Sequence, residues 1–194
     1  MIINTEIARF FTEVLEQGEY KYLFRDYIVI DVGCNVGMFS LWLQDHATQI
    51  HAIDISKECI ETLNKTIKDN HLDNIRTYNV GITYYTGEGL IEKIAEPSYG
   101  SWRLNENGTE KIPVYTLTDF MNSYNIPYAD ILKLDVEGGE KRIIDDNFPK
   151  DRISTIIGEF HYGQDQDIRE FCEKFMKMGY HFLWASQNHF IARR

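Results

Sequence analysis

The sequence predicts an α/β fold, a mostly parallel sheet with helices on both faces. Three observations carry this. Short apolar runs such as "YIVID", "QIHAIDI" and "ADILKLDV" read as buried strands. Segments of helical period separate them, and that alternation is the mark of parallel βαβ units. Finally, 194 residues at 43% hydrophobic composition suffice for one good-sized core and fit one domain, 1–194, better than two.

Taken in order, Ile3, Ile7, Phe10, Phe11, Val14 and Leu15 recur at helical spacing and predict a leading amphipathic helix over about 3–17. Strand "YIVID", helix "VGMFSLWLQDHA", strand "QIHAIDI", helix "KECIETLNKTIKDN" and strand "NIRTYNV" follow. Cys59, Ile60, Leu63 and Ile67 share one face of the second of these helices. From Gly81 to Lys111 the rhythm breaks into a glycine-rich excursion with room for one hairpin, its centre at about 86–110. "KIPVYTL" then resumes the alternation, followed by a short helix near "TDFMNSYN", strand "ADILKLDV", helix "GGEKRIIDD", strand "RISTIIGEF" and helix "QDIREFCEKFMKM". "YHFLWAS" and "HFIARR" close the chain as an antiparallel pair.

A net charge of −10 argues against general attraction to nucleic acid or anionic membranes and favours a small acceptor. Cys34, Cys59 and Cys172 lack metal-ligand spacing, and their odd number fits a reducing cytoplasm. No signal peptide or run of about 18 apolar residues is present, so membrane insertion is not expected. Oligomeric state is left open.

Ligands of open α/β sheets sit at the carboxyl ends of the strands. There stands "DVGCNVG", whose spacing from Gly33 fails a dinucleotide loop because Asn35 and Met38 occupy the second and third glycine places. The alternative acid-x-G-x-G-x-G spacing fits Asp31, Gly33, Asn35 and Gly37, and S-adenosylmethionine has no pyrophosphate to require bare backbone at Asn35. Asparagine also tolerates a left-handed backbone. Asp54, 23 residues beyond Asp31, ends the next strand where a carboxylate can accept the ribose hydroxyls. Ile55 beside it would face an adenine, with Asn79 and Val80 of "YNVG" at the adenine edge.

"DILKLDVEGGE" is the more specific stretch, since a buried strand here runs straight into Lys133, Asp135 and Glu137. With "DVGCNVG", "TLTDF" and "GEFH", it resembles the FkbM family of S-adenosylmethionine-dependent methyltransferases over about Tyr27 to His161. The resemblance implies a seven-stranded class I methyltransferase fold with its last strand reversed, and methyl transfer to a hydroxyl oxygen. By position, Asp31, Gly33, Asn35, Gly37 and Asp54 would contact the cofactor, with Asp135 near its methionine end. Thr118 stands where the family more often has aspartate, a change expected to touch a helix cap.

An alcohol must lose a proton to accept a methyl group, so a base is expected among Asp135, Glu137, Glu159 and His161. His161 ranks first, because a reference pKa of about 6.5 suits reversible proton acceptance. The alternative pairs Glu137 and Glu159 with Lys133 or Lys141 as a structural network. Acids at adjacent strand ends can also hold a divalent cation, but no metal is assigned. Trp102, Arg103 and Tyr99 in the excursion suit a carbohydrate-like acceptor beneath a cover. The rival reading keeps the fold as a cofactor-binding module without catalysis.

Overall fold

A computed structural model describes residues 26–93, 102–161, 168–185 and 188–194; the expected leading helix and Tyr99 lie outside the described residues. The strands are β1 (Tyr27–Val32), β2 (Ala47–Ile53), β3 (Ile75–Tyr78), β4 (Gly81–Ile82), β5 (Gly87–Lys93), β6 (Trp102–Leu104), β7 (Glu110–Tyr115), β8 (Ala129–Leu134), β9 (Ile153–Glu159), β10 (His181–Trp184) and β11 (His189–Arg193). Among the described residues five α-helices accompany them: α1 (Met38–Leu43), α2 (Lys57–Asp69), α3 (Leu117–Ser123), α4 (Glu140–Ile143) and α5 (Ile168–Lys177).

Seven strands form the main sheet in the order β10-β11-β9-β8-β1-β2-β3. Neighbours run parallel except at β11, which is antiparallel to both β9 and β10, so the reversed last strand is as expected. Side chains alternate across such a sheet, and each face buries its own core. Ile30, Val32, Leu132 and Leu134 enter one core with Phe120, Phe171 and Phe190, while Val29 and Ile131 enter the other with Ile60 and Leu63. Each such side chain, fully buried, contributes about 1.5–3 kcal/mol.

Helix α2 starts where Ser56 accepts a hydrogen bond from the Cys59 N–H at 3.3 Å, and it buries Cys59, Ile60 and Leu63. Helix α3 is capped by Thr116, which accepts from the Asp119 N–H at 3.0 Å. Thr118 therefore does not cap; its hydroxyl donates to the Asn147 carbonyl at 2.7 Å. Helix α1 is shorter than its apolar spacing suggests, because Gln44–His46 tighten into a 3₁₀ turn.

The excursion holds more than a hairpin. β5 and β6 pair antiparallel as expected, but β7 and β4 join them in a second sheet of order β4-β7-β5-β6. "KIPVYTL" thus belongs to this side sheet and not to the parallel series. Ile91, Ile112 and Val114 form its own small core, with Ile55, Trp102 and Leu104 packed against it. Among the described residues no helix is long and apolar enough to cross a membrane.

Candidate functional site

Between the carboxyl ends of β1, β2 and β8 and the side sheet lies a cleft of about 770 Å³, within the range of small-molecule sites. Of the residues singled out in the sequence, Gly33, Asn35, Asp54, Ile55, Val80, Asp135, Glu137 and His161 line it. Asp31, Gly37, Asn79 and Glu159 are not among the lining residues, and each has a different placement.

Asp31 is fully buried one layer below. The β1–β8 register sets it opposite Lys133, so both side chains emerge on one face. Lys133 Nζ lies 3.2 Å from Asp31 Oδ1 and 3.4 Å from Asp135 Oδ2, and it donates to the Gly33 carbonyl at 2.7 Å. Ser40 donates to the other Asp31 oxygen at 2.7 Å. Burial by itself would lower the Lys133 pKa, but Asp31 and Asp135 outweigh it and raise it well above the usual value. Lys133 is thus a locked cation that ties the β1 loop to the end of β8, with no free amine for chemistry.

The β1 loop turns through left-handed backbone at Gly33 (φ 75°), Asn35 (φ 51°) and Gly37 (φ 83°). Asn35 takes that conformation with its side-chain oxygen accepting from the Val36 N–H at 2.7 Å. Its own N–H donates to Asp54 Oδ2 at 2.8 Å, and Ser56 N–H donates to Asp54 Oδ1 at 2.7 Å. Gly37 meets α2 instead of the cleft; a Cβ there would sit 2.3 Å from Leu63 Cδ1. Asn79 staples the β2 loop, donating to the Asp54 and Ile55 carbonyls, both at 3.0 Å.

Asp54 is 7% exposed, and burial raises its pKa against the two backbone donors that lower it. Its carboxylate stands beside an apolar slot of Ile53, Ile55, Val80 and Ile82, an acceptor for hydroxyls next to a face for a flat ring. At the other end Asp135 and Glu137 offer negative charge, which suits a cationic methionine end.

Four carboxylates surround His161. Its Nδ1 is 2.9 Å from Oε1 of Glu140, a fully buried residue that also accepts from the Val136 and Gly138 N–H groups at 3.1 and 3.3 Å. Its Nε2 is 3.5 Å from Glu137 Oε2, 3.9 Å from Asp135 Oδ1 and 3.9 Å from Glu159 Oε1. Burial disfavours the imidazolium, but the Glu140 hydrogen bond and the surrounding acids push the pKa up to about 9. A raised pKa favours the protonated ring at neutral pH and so weakens the argument from the reference pKa that ranks His161 first as base. Lys133 pairs with Asp31 and Asp135, and Lys141 pairs with Glu170. Glu137, held at φ 54°, has its pKa raised by burial.

A pKa raised on folding contributes stability that is complete below the unfolded value near 6.5 and lost as pH climbs through about 9. His161 should therefore supply on the order of 2–3 kcal/mol at pH 6 that vanishes by pH 10, in metal-free buffer. A proton NMR titration of the ring checks this; a midpoint near 6.5 contradicts it.

Glu140 escaped sequence reasoning. An acid opening a helix reads as an ordinary first-turn residue, and nothing local shows His161 arriving above it. The excursion supplies Trp102 to Asn107 to the cleft wall; Trp102, half-buried, packs on the side-sheet core and lines the cleft at once.

The methyltransferase FkbM domain matches residues 31–182. A Clostridium tetani (strain Massachusetts / E88) protein named as an uncharacterized RNA methyltransferase is 34% identical over 84 residues, 42% of this chain and 18% of that protein. The chain thus spans less than a fifth of the length of the curated relatives it matches. Among solved structures, methyltransferase FkbM from Methylobacillus flagellatus KT superposes with a TM-score of 0.60 at 12% identity, over 91% of this chain and 46% of that one. TrmK of M. capricolum, in complex with the cofactor product S-adenosyl-homocysteine, gives 0.55 at 11% identity, over 100% and 68%. At such identities the likeness speaks for the fold, that of class I methyltransferases. The family match takes in "DVGCNVG", "LKLDVEGGE" and the side sheet between them, so the chain belongs to the methyltransferase FkbM domain family, with S-adenosylmethionine as its cofactor.

Proposed function

We propose that the protein transfers a methyl group from S-adenosylmethionine to a hydroxyl oxygen of a small, carbohydrate-like acceptor, as one domain over the whole chain. The observation that carries this reading is the cleft itself, with the Asp54 carboxylate beside an apolar slot at one end and Asp135, Glu137 and His161 at the other. When bound, the cofactor supplies a methyl group on a positively charged sulfur.

Asp54 accepts the ribose hydroxyls, Ile55 and Val80 flank the adenine, and the Gly33–Asn35 backbone passes beneath. Asn79 and Asp31 act from behind, the first by holding the Asp54 turn and the second by holding Lys133. Asp135 stays near the methionine end. Glu137 replaces His161 as the base that takes the acceptor's proton, a role worth about 10²–10⁴-fold when well placed. Holding oxygen and methyl carbon in line at roughly 3–3.5 Å supplies the larger share of the acceleration.

Trp102 offers an aromatic face, and Arg103, Asn105, Asn107 and Arg142 offer polar atoms around it, a combination that suits a sugar ring. RNA is the second reading, favoured by the names of the curated relatives. The chain's charge of −10 weighs against it.

Calorimetry with S-adenosylhomocysteine should show one site, weakened by roughly 1.5–3 kcal/mol in Asp54→Ala. An unchanged affinity in a folded variant rejects the ribose role. Labelled methyl groups offered to glycosides and to RNA separate the acceptors: incorporation into RNA alone overturns the small-molecule reading.

A further inference from the structure

Around His161 the acids converge without bonding one another, and Glu159 is held from its far side, where Oε1 accepts from the Asn188 amide and Oε2 lies 3.7 Å from His189 Nε2. The His161 Nε2 faces oxygens of Glu137, Asp135 and Glu159 at 3.5, 3.9 and 3.9 Å and forms no hydrogen bond with any of them. One ligand atom each from Asp135, Glu159 and His161 lies within 4.8 Å of the others, all three residues are part-buried, and Asp135 and His161 line the cleft. The acids outnumber the cations: Asp135, Glu137, Glu140 and Glu159 face His161, and the nearby Lys133 is committed to Asp31 and the Gly33 carbonyl, reaching only the far oxygen of Asp135. Glu140, fully buried beneath the ring, keeps one oxygen without a hydrogen-bond partner among the described residues.

The orientation of the ring is a separate observation. Glu140 holds the Nδ1 proton and aims Nε2 into the gap between the acids, so the Nε2 proton is the one a cation would displace. A carboxylate behind the imidazole and carboxylates in front of it are the arrangement that orients metal-binding histidines. Cation–ligand bonds of about 2.0–2.2 Å hold neighbouring ligand atoms about 3–3.6 Å apart. The spacings from Nε2, 3.9 Å to both Asp135 and Glu159, need contract by a few tenths of an ångström, and the two carboxylates, within 4.8 Å of each other, close in by side-chain rotation.

We propose that Asp135, Glu159 and His161 bind a divalent cation of the manganese or zinc class, with Glu137 beside it and the remaining coordination positions open to the cleft. Mixed carboxylate and imidazole donors suit those ions better than calcium or a soft monovalent ion. The proposal extends the methyl-transfer reading of the same cleft: a hydroxyl coordinated at an open position becomes more acidic and gives its proton to Glu137. The acceptor class narrows to molecules able to chelate, such as vicinal diols.

The test uses the full chain, stripped with chelator and free of cofactor, titrated with Mn²⁺ alone under electron paramagnetic resonance and with Zn²⁺ alone by calorimetry. One saturable site per chain is expected. Glu140→Gln should weaken it by about 10–100-fold, and Asp135→Asn and Glu159→Gln should weaken it at least as much. Glu106→Gln, which alters another acid of the cleft wall, should leave it unchanged. On Zn²⁺ addition the His161 Nε2 nitrogen resonance should move and that of Nδ1 should keep its proton. No saturable binding at millimolar cation, or equal binding in all four variants, overturns the proposal and leaves the acids as partners of an imidazolium. S-adenosylhomocysteine affinity, measured on the same samples, separates the two readings: if it persists without a cation site, only the cation proposal fails, and if wild-type protein lacks it, the methyl-transfer reading fails.

Discussion

Replacing Lys133 with methionine should cost roughly 3–5 kcal/mol of folding stability, because it strands a carboxylate that has no route to water. Lys133 is 6% exposed and Asp31 is 0% exposed. Methionine fills most of the volume of the lysine stem, so the loss reports charge and not a cavity. The ammonium also donates to the Gly33 carbonyl at 2.7 Å and lies 3.4 Å from Asp135 Oδ2, so three segments loosen together: the end of β1, its loop and the end of β8. Urea denaturation gives the measurement. The double variant Lys133→Met with Asp31→Asn should recover part of the loss, since the stranded charge is then gone. A single-variant loss under about 1 kcal/mol would mean that the lock is not ionic.

The lock also shows where sequence reading succeeds and where it stops. Asp31 and Lys133 were each visible as polar residues in apolar runs, which core strands do not carry without cause. What brings them together is the register of β1 against β8, a contact across about a hundred positions that no local pattern encodes. The parallel order near β1, β2 and β3 was legible because each strand is followed by a helix of clear period. β7 was legible as a strand but not as a member of the side sheet, since alternation says which residues extend and nothing about which edge they join. Likewise the cleft residues Asp54 and Val80 could be placed from strand ends alone. The altered proton affinity of His161 could not, because it depends on Glu140 lying beneath the ring, 21 positions earlier, in a helix of four residues.

Gly33→Ala should be the most damaging single methyl group in the loop. An added Cβ would lie 1.7 Å from the Asp135 carbonyl oxygen and 2.7 Å from the carbonyl carbon, and both belong to backbone that is itself fixed by the Asp135 N–H donating to the Val32 carbonyl at 3.1 Å. Neither strand end can yield without breaking the β1–β8 pairing. The residue also sits at φ 75°, where a side chain adds strain of about 1–3 kcal/mol before any clash. Together these predict a loss of roughly 3–5 kcal/mol, among the large values known for point changes. Gly37→Ala makes the comparison informative. Its backbone is similarly left-handed, at φ 83°, but its Cβ would meet the buried Leu63 side chain, Cδ1 at 2.3 Å and Cγ at 3.0 Å, which shifts by repacking and not by moving backbone. Gly37→Ala should therefore cost less, about 1–3 kcal/mol. Denaturation midpoints rank the two, and calorimetry with S-adenosylhomocysteine shows what each does to the loop. If Gly33→Ala kept wild-type stability and affinity, the loop would have a conformation other than the one in which Gly33 abuts Asp135, and the placement of Asn35 and Asp54 at the cleft would go with it. If the order were reversed, with Gly37→Ala the worse, the packing of α2 would govern the loop more than its contact with β8.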